Sequence, residues 1–196
     1  MTAGPKYLSM DALEAGLDQI RSSPADQGVL RLIVRRPRTG EREILDQGQL
    51  DPIDGLVGDS WRARAARASG GSPSPDTQIN VMNARMAALV AQDISRWALA
   101  GDQLFIDLDL GEENVPPSTQ LAIGSAVIEV TDKPHTGCSK FASRFGIEAM
   151  RFVNSPAGRR LRLRGINAKV VQAGTIRVGD LVTLLQRREI GRLDAQ

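Results

Sequence analysis

Short β-type segments separated by turn residues recur along the chain, and they constrain its fold more than any other feature. The segment GDQLFIDLDLG alternates leucine and isoleucine with mainly polar residues from Leu104 to Leu110, which is the period-two pattern of a strand with one buried face. The segment GVLRLIVRRPRTGEREILDQ carries two such runs around residues 37–40, and this arrangement predicts a β-hairpin.

The same signal continues towards the C-terminus. PPSTQLAIGSAVIEVTDKP is broken at Gly124 and Ser125, which predicts two short strands, and the stretches RRLRLRG, NAKVVQ and DLVTLLQ follow between glycine turns. Many short strands at close spacing favour a β-barrel-like core with a few helices at its edge over a parallel α/β sheet. The predicted fold class is therefore mainly β, or α+β.

Three segments have helical spacing. Ser9 is a natural N-cap for an amphipathic helix over residues 9–21, and this helix and the hairpin form residues 9–50 of the same folding unit. INVMNARMAALVAQD and SKFASRFGIEAMRFVN also place apolar residues on one helical face. Residues 62–78 contain Gly, Ser and Pro between Ala and Arg, a composition that predicts a mobile loop.

The composition limits the class of protein. With 196 residues, 41% hydrophobic and 24% charged, the chain suits a single globular domain over residues 1–196. No apolar run approaches the roughly 20 residues of a membrane span, so we expect a cytoplasmic protein with no membrane partner. One cysteine and one histidine exclude an internal disulfide and an all-Cys/His zinc site.

Charge is segregated along the chain. Every charged residue between Gly101 and Asp132 is acidic, whereas basic residues predominate from Cys138 to Arg192. Such a basic stretch suits either an anion site or a solvated surface. Nucleic-acid binding is the least favoured interpretation, because the stretch lacks the interleaved exposed aromatic residues that stack on bases.

The segment DKPHTGCSKFASRFGIEAM holds both the cysteine and the histidine, three residues apart. Gly137 permits a turn into a helix that Cys138 would begin, and a helix N-terminus favours thiolate. Lys133, His135, Lys140 and Arg144 are expected to add positive charge. Cys138 is therefore predicted to be a nucleophilic or metal-binding thiol.

Other interpretations of this segment remain open. A single cysteine is often a small buried apolar residue, and a single histidine is often structural. A cysteine hydrolase is less favoured, because such enzymes usually take the histidine from a distant segment. A thiolate also suits a soft metal.

Three motifs, KPHTGCSKFASRFG, FVNSPAGRRLRLRGINAKVV and GTIRVGDLV, occur in an order that resembles the MOSC family, named for the C-terminal domain of molybdenum cofactor sulfurase. The resemblance spans residues 101–182, with a weaker match upstream in GLVGDSW and INVMNARM. It implies a MOSC-type β-barrel whose cysteine lies in a pocket.

The resemblance also implies a molybdenum–molybdopterin cofactor and assigns roles to particular residues. Cys138 would be the metal ligand or the sulfur carrier, and His135 would be a second catalytic residue. The cofactor phosphate would be bound by arginine or lysine, because guanidinium groups form charge-assisted hydrogen bonds with phosphate. The expected cofactor-binding residues are Arg164, Arg144, Lys140, Asn154 and Asn83, although helix capping and turn roles also suit the two asparagines.

Two functions follow from the resemblance. The first is molybdenum cofactor binding or sulfur transfer, in which Cys138 carries a persulfide received from a cysteine desulfurase and passes the sulfur to a molybdoenzyme. The alternative is a molybdenum-dependent oxidoreductase that reduces N-hydroxylated compounds. Pyridoxal phosphate is expected on the desulfurase and not on this chain, which is too short to include that domain.

Overall fold

A closed seven-stranded β-barrel forms the centre of the computed structural model, which describes residues 7–70 and 73–185. The described residues contain these seven barrel strands and four others, numbered in chain order: β1 (Gln27–Arg35), β2 (Glu43–Leu45), β3 (Gln47–Asp51), β4 (Gly55–Leu56), β5 (Ile79–Asn83), β6 (Leu104–Asp107), β7 (Gln120–Ile123), β8 (Ala126–Val130), β9 (Ile166–Gln172), β10 (Gly174–Arg177) and β11 (Leu181–Leu185).

The barrel closes because β1 pairs with β11 along one edge and with β6 along the other. The remaining order is β11-β7-β8-β9-β5-β6, in which only β5 and β6 are parallel among the described pairs. Strand β2 extends β1 as the second arm of the predicted hairpin, and β10, β3 and β4 form a small separate sheet.

Short helices surround the barrel. They are α1 (Met10–Ala15), α2 (Leu17–Arg21), α3 (Trp61–Ser69), α4 (Ala84–Ala91), α5 (Ser139–Phe145), α6 (Ile147–Asn154) and α7 (Pro156–Arg160), with 3-10 turns at Pro75–Thr77 and Ile94–Ala100. This arrangement confirms the predicted fold class. Within residues 7–70 and 73–185, no helix has the length and apolar character that a membrane crossing requires.

Two hydrophobic cores follow from strand alternation. Leu104 and Ile106 of β6 point into the barrel interior, whereas Phe105 between them points outward into a second core beneath the helices. The second core also contains Phe141 and Phe145 of α5, both only 1% exposed. Helix α5 is therefore anchored to the outer wall of the barrel by its aromatic residues.

Three local predictions are wrong. Residues 79–83 form strand β5 and only residues 84–91 are helical, because the β-branched start of INVMNARM pairs with β6 and β9. Helix α3 occupies much of the predicted 62–78 loop, of which residues 71 and 72 lie outside the described part of the chain. RRLRLRG is not a strand: it begins in α7 and continues as a turn over residues 161–164.

Candidate functional site

Cys138 is the N-cap residue of α5 and its side chain is exposed. Its carbonyl accepts the first helical hydrogen bond from the Ala142 N–H at 3.0 Å. The predicted position of the thiol at a helix N-terminus is therefore correct, although the sulfur makes no capping hydrogen bond of standard geometry. Its exposure leaves the thiol accessible to a reagent or a partner.

The pKa of the Cys138 thiol is lowered from its ordinary value. Partial burial acts to raise the pKa, but the backbone N–H groups of Phe141 and Lys140 and the charges of Arg164 and Lys140 outweigh it. Lys140 is exposed in the first turn of α5, where its charge acts on the thiol across solvent. The environment therefore favours thiolate.

The residues before Cys138, numbers 131–137, are called the cysteine turn. Asn154 at the end of α6 holds this turn: its Oδ1 accepts from the Gly137 N–H and its Nδ2 donates to the Gly137 carbonyl, both at 2.9 Å. A Cβ on residue 137 would lie 2.7 Å from Val153 Cγ2, so this close approach requires glycine. Asn154 was predicted to bind a cofactor edge, and in the structure its amide positions the cysteine turn.

Arg164 forms a buried ion pair with Asp102. Its Nη1 donates to both carboxylate oxygens at 3.0 and 2.7 Å, and its Nη2 donates to the Ala100 carbonyl at 3.0 Å. The guanidinium carbon also lies 5.0 Å from the centre of the Phe141 ring. The expected phosphate ligand thus has its terminal nitrogens committed inside the protein, and only its buried Nε is without a partner.

His135 lies in the cysteine turn next to this ion pair, with Nδ1 3.5 Å from Asp102 Oδ1. Burial lowers the pKa of His135 to about 3, with Arg164 and Arg36 acting in the same direction and Asp102 opposing them. The ring is therefore neutral near pH 7. The expectation that His135 adds positive charge beside the thiol is wrong.

A second buried ion pair was missed by the sequence reasoning. Arg36 donates to Asp59 through Nε at 2.8 Å and Nη2 at 3.0 Å, and its Nη1 reaches the Asn80 side chain at 3.0 Å. Asn80 donates to Asn167, which donates to the Lys133 carbonyl in the cysteine turn. This chain of hydrogen bonds ties the barrel wall to the cysteine turn, and Asp59 in the quoted GLVGDSW segment was its available signal.

Arg42 and Arg144, called the arginine pair, flank Gly101. A Cβ on residue 101 would lie 3.6 Å from Arg144 Nη1 and 4.0 Å from Arg42 Nη2. The pair donates to the carbonyls of Leu99 and Ala98. Within the described residues, neither arginine has a carboxylate at ion-pair distance.

The pKa of Arg42 is lowered by burial first and then by the charges of Arg144, Arg36 and Arg64, which outweigh Asp59. The positive charge at this position is therefore incompletely neutralised by the protein. Arg144 was predicted as an anion ligand, and the structure adds Arg42 to it. No sequence pattern indicated Arg42, because it lies about 100 positions from Arg144 along the chain and the two residues meet only through the fold.

Asn83 does not belong to this group. Its Oδ1 caps α4 by accepting from the Arg85 and Met86 N–H groups, and its Nδ2 donates to Ser23 and Leu108. The amide is thus fully used in the core, so its predicted role in binding a cofactor edge is replaced by helix capping.

A cavity of about 370 Å³ opens beside the cysteine turn. Its walls are residues 131–136 of that turn, Val153 of α6, Gly158 and Arg159 of α7, Glu112, Arg162 and residues 164–167. This volume is in the range of small-molecule sites. His135 and Arg164 therefore lie between the cavity and the buried Asp102.

Residues 57–183 match the sequence profile described as the MOSC domain. The chain belongs to the MOSC domain family. MOSC domains are generally molybdenum-cofactor-binding domains, and the match covers the cysteine turn, α5 and the whole cavity wall. The family predicted from the cysteine and arginine motifs is confirmed.

Solved structures share this MOSC fold. The YUAD protein from Bacillus subtilis aligns with a TM-score of 0.54 at 15% identity, over 81% of this chain and 95% of its own. YiiM from Escherichia coli aligns with a TM-score of 0.52 at 21% identity, over 81% of this chain and 70% of its own. YiiM from Geobacillus stearothermophilus gives 0.50 at 14% identity, over 84% and 75%. No curated protein matches the MOSC chain in sequence.

Proposed function

We propose that this MOSC domain binds the molybdenum cofactor, with Cys138 as the metal ligand or sulfur carrier and the arginine pair as the partner of the cofactor phosphate. The observation that carries the proposal is an accessible thiol of lowered pKa at the start of α5, with Arg144 of the incompletely neutralised arginine pair in the last turn of the same helix.

The donor set fits a ligand that has sulfur and metal at one end and phosphate at the other. Arg144 lies in the last turn of α5, six residues after Cys138, which is about 9 Å along a helix that rises about 1.5 Å per residue. A thiolate suits a soft metal, and two guanidinium groups suit a phosphate.

The residues of the site then have defined roles. Asn154 holds the cysteine turn, Lys140 and the N–H groups of α5 keep Cys138 as thiolate, and Arg42 and Arg144 bind the phosphate. When bound, molybdenum supplies two-electron redox chemistry. Neutral His135 leaves the net charge near the thiol unchanged as the pH varies around 7.

Sulfur transfer needs only the thiolate and an accessible surface. The Cys138 thiolate attacks the terminal sulfur of a persulfide on a cysteine desulfurase, the donor S–S bond breaks, a new S–S bond forms on Cys138, and the donor cysteine leaves as thiolate. The exposure of Cys138 supports this step, because the attacking sulfur must reach a second protein.

The test is metal and sulfur analysis of protein purified from a host that makes molybdopterin. The wild-type protein should contain molybdenum and phosphorus in near-equal amounts, Cys138→Ser should lose most of the molybdenum, and the double variant Arg42→Gln/Arg144→Gln should lose both elements. Arg151→Gln is the matched control, because Arg151 is an exposed arginine of α6 paired with Glu148.

Sulfur transfer is tested by incubating the protein with a cysteine desulfurase and cysteine. The mass should rise by one sulfur atom on Cys138, and a reductant should remove it. Reduction of an N-hydroxylated compound by the loaded protein would support the oxidoreductase alternative instead. Protein that acquires neither molybdenum nor a persulfide would contradict the proposal in both forms.

A further inference from the structure

The cavity beside the cysteine turn has walls that suit a ligand other than a metal. Pro134, Val153 and Ile166 supply apolar surface, and Lys133, Arg159 and Arg162 supply positive charge. Glu112 and Asp132 are the acidic residues of the wall. Arg164 is neutralised by Asp102 from behind, so the wall keeps an excess of one positive charge.

Arg162 is the most unusual of these residues. It adopts a positive φ of 45°, which a side chain other than glycine rarely takes. Its Nη1 donates to the Val115 carbonyl at 2.6 Å, and within residues 7–70 and 73–185 no carboxylate lies at ion-pair distance from it. Burial lowers the pKa of Arg162, with Glu112 opposing. A half-buried cation without an ion-pair partner is therefore held in the wall by a strained backbone.

Two further side chains of the wall face away from the cavity. Arg164 is only 8% exposed and is paired with Asp102, and His135 Nδ1 lies 3.5 Å from the same carboxylate. Arg164 is therefore already neutralised, and the positive charge that the wall offers to a ligand comes from its other cations, of which Arg162 is the half-buried one.

We propose that this cavity binds a small organic anion, with a carboxylate or phosphate group held at Arg162 and an apolar body against Pro134, Val153 and Ile166. The volume of about 370 Å³ exceeds the needs of a bare oxyanion and matches a small organic molecule. The site is separate from the arginine pair, since neither Arg42 nor Arg144 belongs to its wall. Its occupant lies against the turn that positions Cys138.

Titration with benzoate, phenyl phosphate and neutral benzamide at constant ionic strength tests the proposal, followed by the amide NMR signals of the wild-type protein. Benzoate or phenyl phosphate should bind saturably and shift the signals of residues 131–137 and 165–167, while benzamide should bind at least about 10-fold more weakly. The carboxylate and phosphate arms identify which anionic group the cavity prefers. Equal binding of benzamide, or no saturable binding of either anion, would overturn the proposal.

Arg162→Gly is the decisive variant, because glycine adopts a positive φ without strain and the fold is preserved while the guanidinium is removed. It should weaken binding of the preferred anion by about 10-fold or more, as expected for a lost charge-assisted hydrogen bond. Arg162→Lys should retain part of the affinity. Arg160→Gln is the control, because Arg160 is exposed on α7 and lies outside the cavity wall.

The arginine pair provides the remaining comparison. Arg42→Gln/Arg144→Gln should leave benzoate and phenyl phosphate binding unchanged. If this double variant loses the anion and Arg162→Gly keeps it, the ligand binds at the arginine pair and the cavity proposal is wrong. This readout contains no metal, so it is independent of whether the protein acquires molybdenum.

Discussion

Asn154 holds Gly137 by both backbone groups, accepting from its N–H and donating to its carbonyl at 2.9 Å each. The amide of a residue at the end of α6 thus fixes the backbone immediately before Cys138. The pair is 17 positions apart in sequence, and the two hydrogen bonds make the orientation of the cysteine turn depend on the end of a neighbouring helix.

Replacing Asn154 by Ala should loosen the thiol from the α5 N-terminus and move the pKa of Cys138 up towards the ordinary cysteine value, about 8.5. The pH profile of iodoacetamide modification measures this shift, and urea unfolding should show a loss of about 1–3 kcal/mol from the two broken hydrogen bonds. Asn114→Ala is the control. Asn114 also donates two hydrogen bonds, to Ala25 and Asp109, so it should lose stability without changing the thiol profile.

His135 should make the protein less stable as the pH falls. The pKa of the folded histidine is lowered to about 3, whereas the unfolded histidine titrates near 6.5. Between these values the unfolded state binds one more proton than the folded state. The contribution of neutral His135 to the free energy of unfolding is therefore complete above about pH 6.5 and is lost as the pH falls towards 3.

Urea unfolding of wild-type protein and His135→Gln between pH 4 and 7 measures this effect. The difference in the free energy of unfolding between the two proteins should change by up to about 1.4 kcal/mol per pH unit, because one proton is involved. Parallel stability curves for the two proteins would show that His135 titrates normally in the folded state.

Arg164→Ala should reduce the free energy of unfolding by about 3–5 kcal/mol, because it leaves the fully buried Asp102 carboxylate without its partner. Sequence analysis expected Arg164 to bind the cofactor, whereas its terminal nitrogens are bound to Asp102 and to the Ala100 carbonyl. Arg164→Ala/Asp102→Leu removes both charges and should recover part of the loss. Equal stability of Arg164→Ala and wild-type protein would contradict the buried ion pair.

Arg162→Gly should be more stable than Arg162→Ala by about 1 kcal/mol. Both variants lose the guanidinium and its hydrogen bond to Val115, but only alanine keeps a Cβ at a positive φ. Thermal unfolding of the two proteins at one pH measures the difference. An alanine variant as stable as the glycine variant would mean that the backbone at residue 162 relaxes to a negative φ.

The sequence predicted the elements whose periodicity is local. The hairpin, the strands around Gly124 and the helix after Cys138 follow from alternation and helical spacing, and the barrel follows from the number of short strands. The strand predicted over RRLRLRG is wrong, because alternation of Arg and Leu also fits a helix end followed by a turn. Ser155 and Pro156 were the signal that a helix begins there.

The candidate site was predicted only where its residues lie in one segment. Cys138 and Lys140 were placed correctly because a helix N-terminus is a local feature. The Asp102–Arg164 pair spans 62 positions and the arginine pair spans still more, and single-sequence patterns carry no information about such distances. Asn83 and Asn154 were assigned to a ligand because side chains that cap helices and turns are the same types that bind ligands.

The closure of the barrel by β1 and β11 sets an order for folding during synthesis. Val29 pairs with Leu181, so the last barrel strand leaves the ribosome about 150 residues after its partner. Until then β1 and β7 each have an open edge, and open edges recruit strands from other chains. The nascent chain therefore carries its assembled thiol segment before its barrel can close, and the final strand protects the protein from aggregation as much as it completes the fold.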